Sequence, residues 1–187
     1  NGDDKYVDGH VNLSADWKAA ERHGFSYLAS SYFGHDPYGT ERTAGGTLVN
    51  SSLDHWRLLN MGGKYTYGTL NDPINLEFRL DGISKRYTTN TSVTQFIDYT
   101  ALVAGGTALY NYSPKTAFLL DLSGNLTNYD LSPGLNSTEY RVLTGVRWAA
   151  TSKTSGDIRV GYFKHRPKTG SGFEEVSSVD WQANAKW

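Results

Sequence analysis

The chain has 187 residues, with Lys+Arg 18 against Asp+Glu 19 and a formal net charge of -1. Such a balance excludes a nucleic-acid partner, which demands a basic excess to neutralise phosphates. Cysteine is absent, so disulfide scaffolds, thiolate metal sites and cysteine nucleophiles are excluded. No run approaches the ~18 apolar residues a transmembrane helix needs, and Asn1 lacks both an initiator Met and a leader, as at a processed or trimmed end. The 20 Gly, 13 Tyr, 7 Phe and 5 Trp, in a polar chain without long apolar runs, point to many short two-faced strands within one domain.

In chain order, the signal is alternation with period two, which puts successive side chains on opposite faces of a strand. Residues 6–18 set Val7, Val11, Leu13, Ala15 and Trp17 against Asp8, His10, Asn12, Ser14, Asp16 and Lys18. In 46–68 the apolar parity shifts from Trp56 and Leu58 to Leu59, Met61, Gly63, Tyr65 and Tyr67, which predicts a bulge. Residues 74–85 alternate Ile74, Leu76, Phe78 and Leu80 with Asn75, Glu77, Arg79 and Asp81. Tyr140, Val142, Val146 and Trp148 alternate with Arg141, Leu143, Gly145 and Arg147. The last segment sets Val179, Trp181, Ala183, Ala185 and Trp187 against Ser178, Asp180, Gln182, Asn184 and Lys186. The pattern predicts about nine strands: 5–19, 24–34, 46–68, 73–86, 92–112, 117–129, 138–150, 156–166 and 177–187. No helix is predicted, because Gly, Thr and Tyr are poor residues for helix interiors.

The links alternate in kind. Glu21-Arg22-His23, Thr69–Asp72, Ser113–Thr116 and Thr151–Ser155 are tight, whereas Gly34–Gly45, Tyr87–Thr91, Asp130–Glu139 and Lys168–Ser177 are longer and irregular. A soluble sandwich has no reason for this asymmetry. An antiparallel up-and-down transmembrane β-barrel does, because its periplasmic turns are short and its outer loops long. A weak repeat supports the hairpin unit: Ser113-Pro114-Lys115-Thr116 and Thr151-Ser152-Lys153-Thr154 each open a strand.

Alternation alone does not say which face is inside; aromatic placement decides. Trp17, Tyr65, Tyr67, Tyr110, Tyr112, Phe118, Trp148 and Trp187 occupy apolar faces beside the short turns or the C-terminus. Tyr6, Trp56, Tyr99, Tyr140 and Tyr162 lie toward the long-loop ends, and Trp181 is grouped with these interface aromatics. Two belts match the girdles at the two membrane interfaces. From Tyr140 to Trp148, ~3.3 Å per residue and a ~45° tilt span roughly 19 Å, near the ~25 Å apolar band of a membrane barrel. The apolar face is therefore expected to meet lipid. The opposite face should line a lumen, with Asp16, Lys18, Glu77, Arg79, Asp81, Asp98, Asp121, Arg141, Arg147, Asp157, Arg159, Asp180, Gln182 and Lys186. Both signs are interspersed there without a single-sign ladder, as in a solvated wall held by mutual ion pairs rather than a selectivity filter.

These residues resemble a known family. The resemblance rests on Ser113-Pro114-Lys115-Thr116-Ala117 before Phe118-Leu119-Leu120-Asp121, and on Glu139-Tyr140-Arg141-Val142-Leu143-Thr144-Gly145-Val146-Arg147-Trp148. Val160-Gly161-Tyr162 and the closing strand Val179–Trp187 complete it. Tyr110–Trp187 thus resembles the C-terminal part of the putative β-barrel porin 2 family, while residues 1–90 match only in strand style. The resemblance implies a Gram-negative outer-membrane protein, of a kind often encoded with exopolysaccharide or capsule export machinery. It carries over no catalytic residue. The aromatic C-terminal strand looks like the signal read by the barrel assembly machinery, so the implied partners are that machinery, outer-membrane lipid, and polysaccharide or envelope export proteins. Members look about twice as long, and bacterial single-chain barrels have even strand numbers. Nine strands therefore imply either the C-terminal part of a larger barrel or a strand miscounted near 46–68.

Other chemistry has little to stand on. None of His10, His23, His35, His55 and His165 forms an i,i+2 or i,i+4 pair with another, and only His10 shares a face with a carboxylate two residues away, Asp8. No metal site, cofactor or catalytic residue is predicted. His35-Asp36 in an outer loop is the sole handle for a barrel enzyme, and the loop Gly34–Gly45, with Tyr38, Glu41 and Arg42, fits either a sugar or calcium site or ordinary loop content. Gly62-Gly63 and Gly105-Gly106 read as bulges or bends rather than a phosphate loop. Three functions follow: a porin-like channel, through the resemblance one serving polysaccharide export; a plugged structural barrel anchoring an envelope complex; and a barrel enzyme.

Overall fold

Alternating side chains and β-branched or aromatic residues build one antiparallel meander in the computed structural model, which describes residues 7–36, 53–69, 72–149, 154–168, 170 and 172–187. The strands are β1 (Gly9–Ala20), β2 (His23–Asp36), β3 (Asp54–Tyr67), β4 (Ile74–Tyr87), β5 (Tyr99–Ser113), β6 (Thr116–Tyr129), β7 (Ser137–Ala149), β8 (Ser155–Pro167) and β9 (Val176–Lys186). Each pairs only with its neighbours in sequence, in the order β1 to β9. The fold is all-β with up-and-down barrel topology, and the sheet is open: among the described residues no ladder joins β1 to β9.

Links alternate as expected. Glu21-Arg22 and Pro114-Lys115 are two-residue turns, while 88–98, 130–136 and 168–175 are long. Two expectations fail. Residues 92–98 are not strand: α1 (Thr91–Thr94) and a 3-10 turn (Gln95–Ile97) precede β5. The β-branched Val93 and Thr94 favour a strand in isolation, but Asn90 turns the backbone left-handed at φ 52°. The buried Thr94 hydroxyl then donates to the carbonyls of Thr89 (2.9 Å) and Asn90 (3.1 Å). Nor is there a bulge in β3, whose register with β2 and β4 runs unbroken. Trp56 and Leu58 therefore lie on the polar face, and so does Tyr99, which leaves Tyr140 and Tyr162 as the apolar-face aromatics of the expected second belt. Residues 46–52, Tyr6 and most of the second lysine turn lie outside the described residues. Register does shift at Lys18/Ala20 and Asn111/Ser113, beside the short turns.

The register sorts the side chains into two unlike faces. On the apolar one, Trp17, Phe25, Tyr65 and Phe78 form a single cross-strand row, with ring centroids 5.5, 5.1 and 6.4 Å apart. Leu80, Leu102, Leu122, Val142, Val160 and Val179 continue this face, all exposed. Every buried strand residue lies on the other, polar face, including Leu143 (1% exposed), Leu119 (3%) and Ala117. A contiguous exposed apolar surface of this breadth marks a lipid or protein contact. Burial and exposure are thus inverted relative to a soluble barrel.

Glycines make room for large neighbours on both faces. A Cβ at Gly34 would come 2.7 Å from the Trp56 ring, and one at Gly106 would come 3.3 Å from Phe78. Gly62 lies under the Asp81 carboxylate and Gly105 under Arg79. The Gly62-Gly63 and Gly105-Gly106 pairs therefore seat cross-strand side chains instead of marking bulges.

Candidate functional site

Eleven expected lumen residues share the polar face: Glu77, Arg79 and Asp81 from β4, Asp121 from β6, Arg141 and Arg147 from β7, Asp157 and Arg159 from β8, and Asp180, Gln182 and Lys186 from β9. Asp16 and Lys18 of β1 are also on it. Asp98 is not a strand residue; its carboxylate accepts the Tyr87 N–H at 2.8 Å and ties the β4–β5 link down. Trp17, Tyr65, Tyr67, Tyr110, Tyr112, Phe118, Tyr140, Trp148 and Trp181 lie on the apolar face, and Trp187 follows β9 in the same phase, 92% exposed. Trp181 sits mid-strand opposite Val160, away from either end of β9.

Register orders the charges of the polar face. One cross-strand row reads Lys64, Arg79, Gly105, Ser123, Arg141, Phe163. The row on one side reads Glu77, Thr107, Asp121, Leu143, Gly161, Asp180. The row on the other carries Asp81, Asn125, Glu139 and His165. The signs are thus layered, a cationic row between two acidic ones, and not merely interspersed. Sequence reading missed this because rows depend on which residues face each other across strands, and it missed Lys64 and Ser123 for the same reason.

Two ion pairs, Arg141–Asp180 and Lys64–Glu77, run diagonally between layers. Arg141 Nε meets Asp180 Oδ2 at 2.7 Å, reaching from β7 to β9 past side-chain-free Gly161 of β8. The angles make this an ionic contact and not an aligned hydrogen bond. The Arg141 guanidinium also lies 5.3 Å from the centre of the Phe163 ring. Lys64 Nζ and Glu77 are 3.8 Å apart, Arg159 Nε donates to Asp157 at 2.8 Å, and the Thr107 hydroxyl donates to Asp121 at 2.7 Å. Glu139 accepts from Asn125 at 3.3 Å and lies 3.1 Å from His165 Nδ1. Arg79 and Arg147 have no ion pair among the described residues. The carboxamide oxygens of Asn60, Asn75 and Asn125 are buried on this face without a donor among the described residues, as polar groups are in a wetted interior.

Cavities follow this face. One of about 270 Å³ is bordered by Arg79, Arg141, Arg147 and Arg159 with the carboxylates of Glu77 and Asp121. At its short-turn side Arg147 and Glu77 also border a cavity of about 880 Å³ that reaches Lys18 and Arg22. At its long-loop side Arg79 and Arg141 border one of about 190 Å³ with Glu139 and Phe163.

His35 and His55 face each other across β2 and β3 with ring centroids 6.2 Å apart, and the other histidines are dispersed. His35-Asp36 ends β2 and is not a loop pair; His35 Nδ1 lies 2.8 Å from Asp8, while Asp36 accepts from Trp56 Nε1 and the Tyr87 hydroxyl, both at 3.0 Å. His10 stacks on Tyr32 instead of meeting Asp8. Among the described residues no group of three or more His, Cys, Asp or Glu could hold a metal ion. The loop residues Tyr38, Glu41 and Arg42 lie outside the described residues.

A meander of two-faced strands, apolar outside and charged where it is enclosed, defines the wall of a membrane-type β-barrel. The chain belongs to the putative β-barrel porin 2 family, whose match covers residues 66–187, from the end of β3 through β9. The match reaches further toward the N-terminus than the motifs of 110–187 alone. No curated protein matches the chain.

Proposed function

We propose that the protein is a porin-like channel of the bacterial outer membrane, its apolar face against lipid and its polar face lining the path of solute. The observation that carries this reading is the run of cavities along the charged face, bordered in succession by Arg147, then Arg79, Arg159 and Arg141. Family membership supports the porin-like reading. Along both β1 and β9 one row of backbone N–H and C=O groups faces no strand among the described residues. Lipid cannot satisfy such groups, so both edges are paired in the embedded state. The partners we assign are outer-membrane lipid, the barrel assembly machinery acting on the aromatic C-terminal strand, and envelope components that export polysaccharide. We assign no catalytic role.

The deep burial of Leu119 and Leu143 on the polar face favours one second reading, a barrel with a blocked lumen that anchors an envelope complex. Single-channel recording of the purified protein in planar bilayers separates the two. Discrete conductance steps support the channel; a silent bilayer holding verified inserted protein supports the anchor.

A further inference from the structure

The cavity of about 270 Å³ is bordered by four arginines and two carboxylates. The two carboxylates are already engaged, Asp121 by the Thr107 hydroxyl at 2.7 Å and Glu77 by Lys64 at 3.8 Å. Two of the arginines are engaged as well, Arg141 with Asp180 and Arg159 with Asp157. Arg79 and Arg147 are left, with no ion pair among the described residues.

The backbone around Arg79 is shaped to fit. In the row Arg79–Gly105–Ser123–Arg141 the two residues between the arginines are small. A Cβ on Gly105 would come 3.2 Å from Arg79 Nε, so the guanidinium stem is seated in the notch that this glycine leaves. The result is a shallow trough flanked by guanidinium groups. A guanidinium presents a rigid planar fork that matches an oxyanion with two parallel hydrogen bonds, and it keeps its charge at any physiological pH. Field lines are focused in a cleft whose walls are protein, so the excess of cations raises the local concentration of anions.

We propose that this trough is a binding site for an oxyanion-bearing solute, with Arg79 and Arg147 as its direct contacts and Arg141 and Arg159 as paired flanking charges. The inference rests on the channel reading: it names the class of solute that the channel favours, namely anions carrying carboxylate or similar groups.

The test uses the full chain in planar bilayers under a potassium chloride gradient. The reversal potential is expected to show chloride favoured several-fold over potassium, and citrate added to one side is expected to reduce the current. Arg79→Gln and Arg147→Gln are each expected to shift the reversal potential toward zero and to relieve the citrate block. Arg79→Lys keeps the charge and loses the fork, so it is expected to retain the chloride preference and weaken the block. A wild type that favours potassium or shows no preference overturns the proposal, as do glutamine variants that behave like wild type. If the protein inserts and does not conduct, the channel reading fails, and equilibrium dialysis of the detergent-solubilised protein against labelled citrate decides the site. Citrate retained by wild type and lost in Arg79→Gln supports it; no retention by wild type overturns it.

Discussion

The Trp148 indole lies over Gly156, its register partner on β8, so that a Cβ added to Gly156 would strike the ring. The same Cβ would come within 2.6 Å of the Asn184 carbonyl oxygen, which a side-chain shift cannot relieve. Gly156→Ala is therefore expected to lower stability by about 1–3 kcal/mol, the range for overpacking. Gly9→Ala, with nothing within 4 Å, should stay within about 0.5 kcal/mol of wild type. Urea unfolding of the refolded protein in detergent micelles measures both. Equal midpoints for the two variants would mean that the Trp148–Gly156 seat does not form.

Val142 stands mid-strand on the apolar face between Leu122 and Tyr162. Arginine at a lipid-facing midplane position costs about 2–4 kcal/mol, so Val142→Arg should unfold at a clearly lower denaturant concentration in lipid vesicles. Gln182→Arg, on the polar face, is expected to move the midpoint much less. Similar losses for both would place the two side chains in similar surroundings.

Thr94 is 1% exposed, and its hydroxyl serves two backbone carbonyls in the link between β4 and β5. Thr94→Val keeps the shape and leaves those carbonyls without this donor, at a cost of about 1–3 kcal/mol. The cost should fall on the link alone, seen as faster amide exchange over residues 90–98 with strand protection unchanged. Exchange that stays slow there would show that other contacts hold the link.

Hydrogen bonds from Lys164 (2.6 Å) and Arg166 (2.9 Å) hold the Glu175 carboxyl below its usual range. Because its pKa is lowered on folding, the stabilising contribution is present above the ordinary carboxylate range and is lost as pH falls through the depressed value. The end of the link at 172–175 should thus stay fastened at neutral pH and loosen only in distinctly acidic solution. A nitroxide on a cysteine at Glu174 is expected to report that transition, and Glu175→Gln to leave the link loose at every pH. A label whose mobility ignores both pH and the substitution contradicts the tether.

The sequence shows much of this architecture, for a physical reason: a strand with one face in lipid and one in a polar interior must alternate, and 74–85 and 177–187 alternate almost without fault. It is silent where cross-strand partners decide. Trp56 and Leu58 look like a change of face, yet β3 runs straight because the polar face accepts aromatic and aliphatic groups near the long loops. Residues 92–98 read as strand because Val93 and Thr94 are β-branched, and the left-handed turn at Asn90 with the local Thr94 hydroxyl bonds overrides that preference. Most of all, the layering of Lys64, Arg79 and Arg141 between acidic rows is invisible along the chain, where Arg79 is flanked by Glu77 and Asp81.

The central claim is the direction of the two faces, and the absence of native cysteine makes it directly measurable. Single cysteines at positions 120–127 of β6 would carry nitroxides in lipid vesicles, with collision rates read against oxygen and a polar nickel chelate. Oxygen contact is expected to peak at Leu120, Leu122, Gly124 and Leu126 and to fall at Asp121, Ser123, Asn125 and Thr127, with the chelate in opposite phase. Oxygen contact without alternation, or oxygen peaks at the charged positions, would contradict the account.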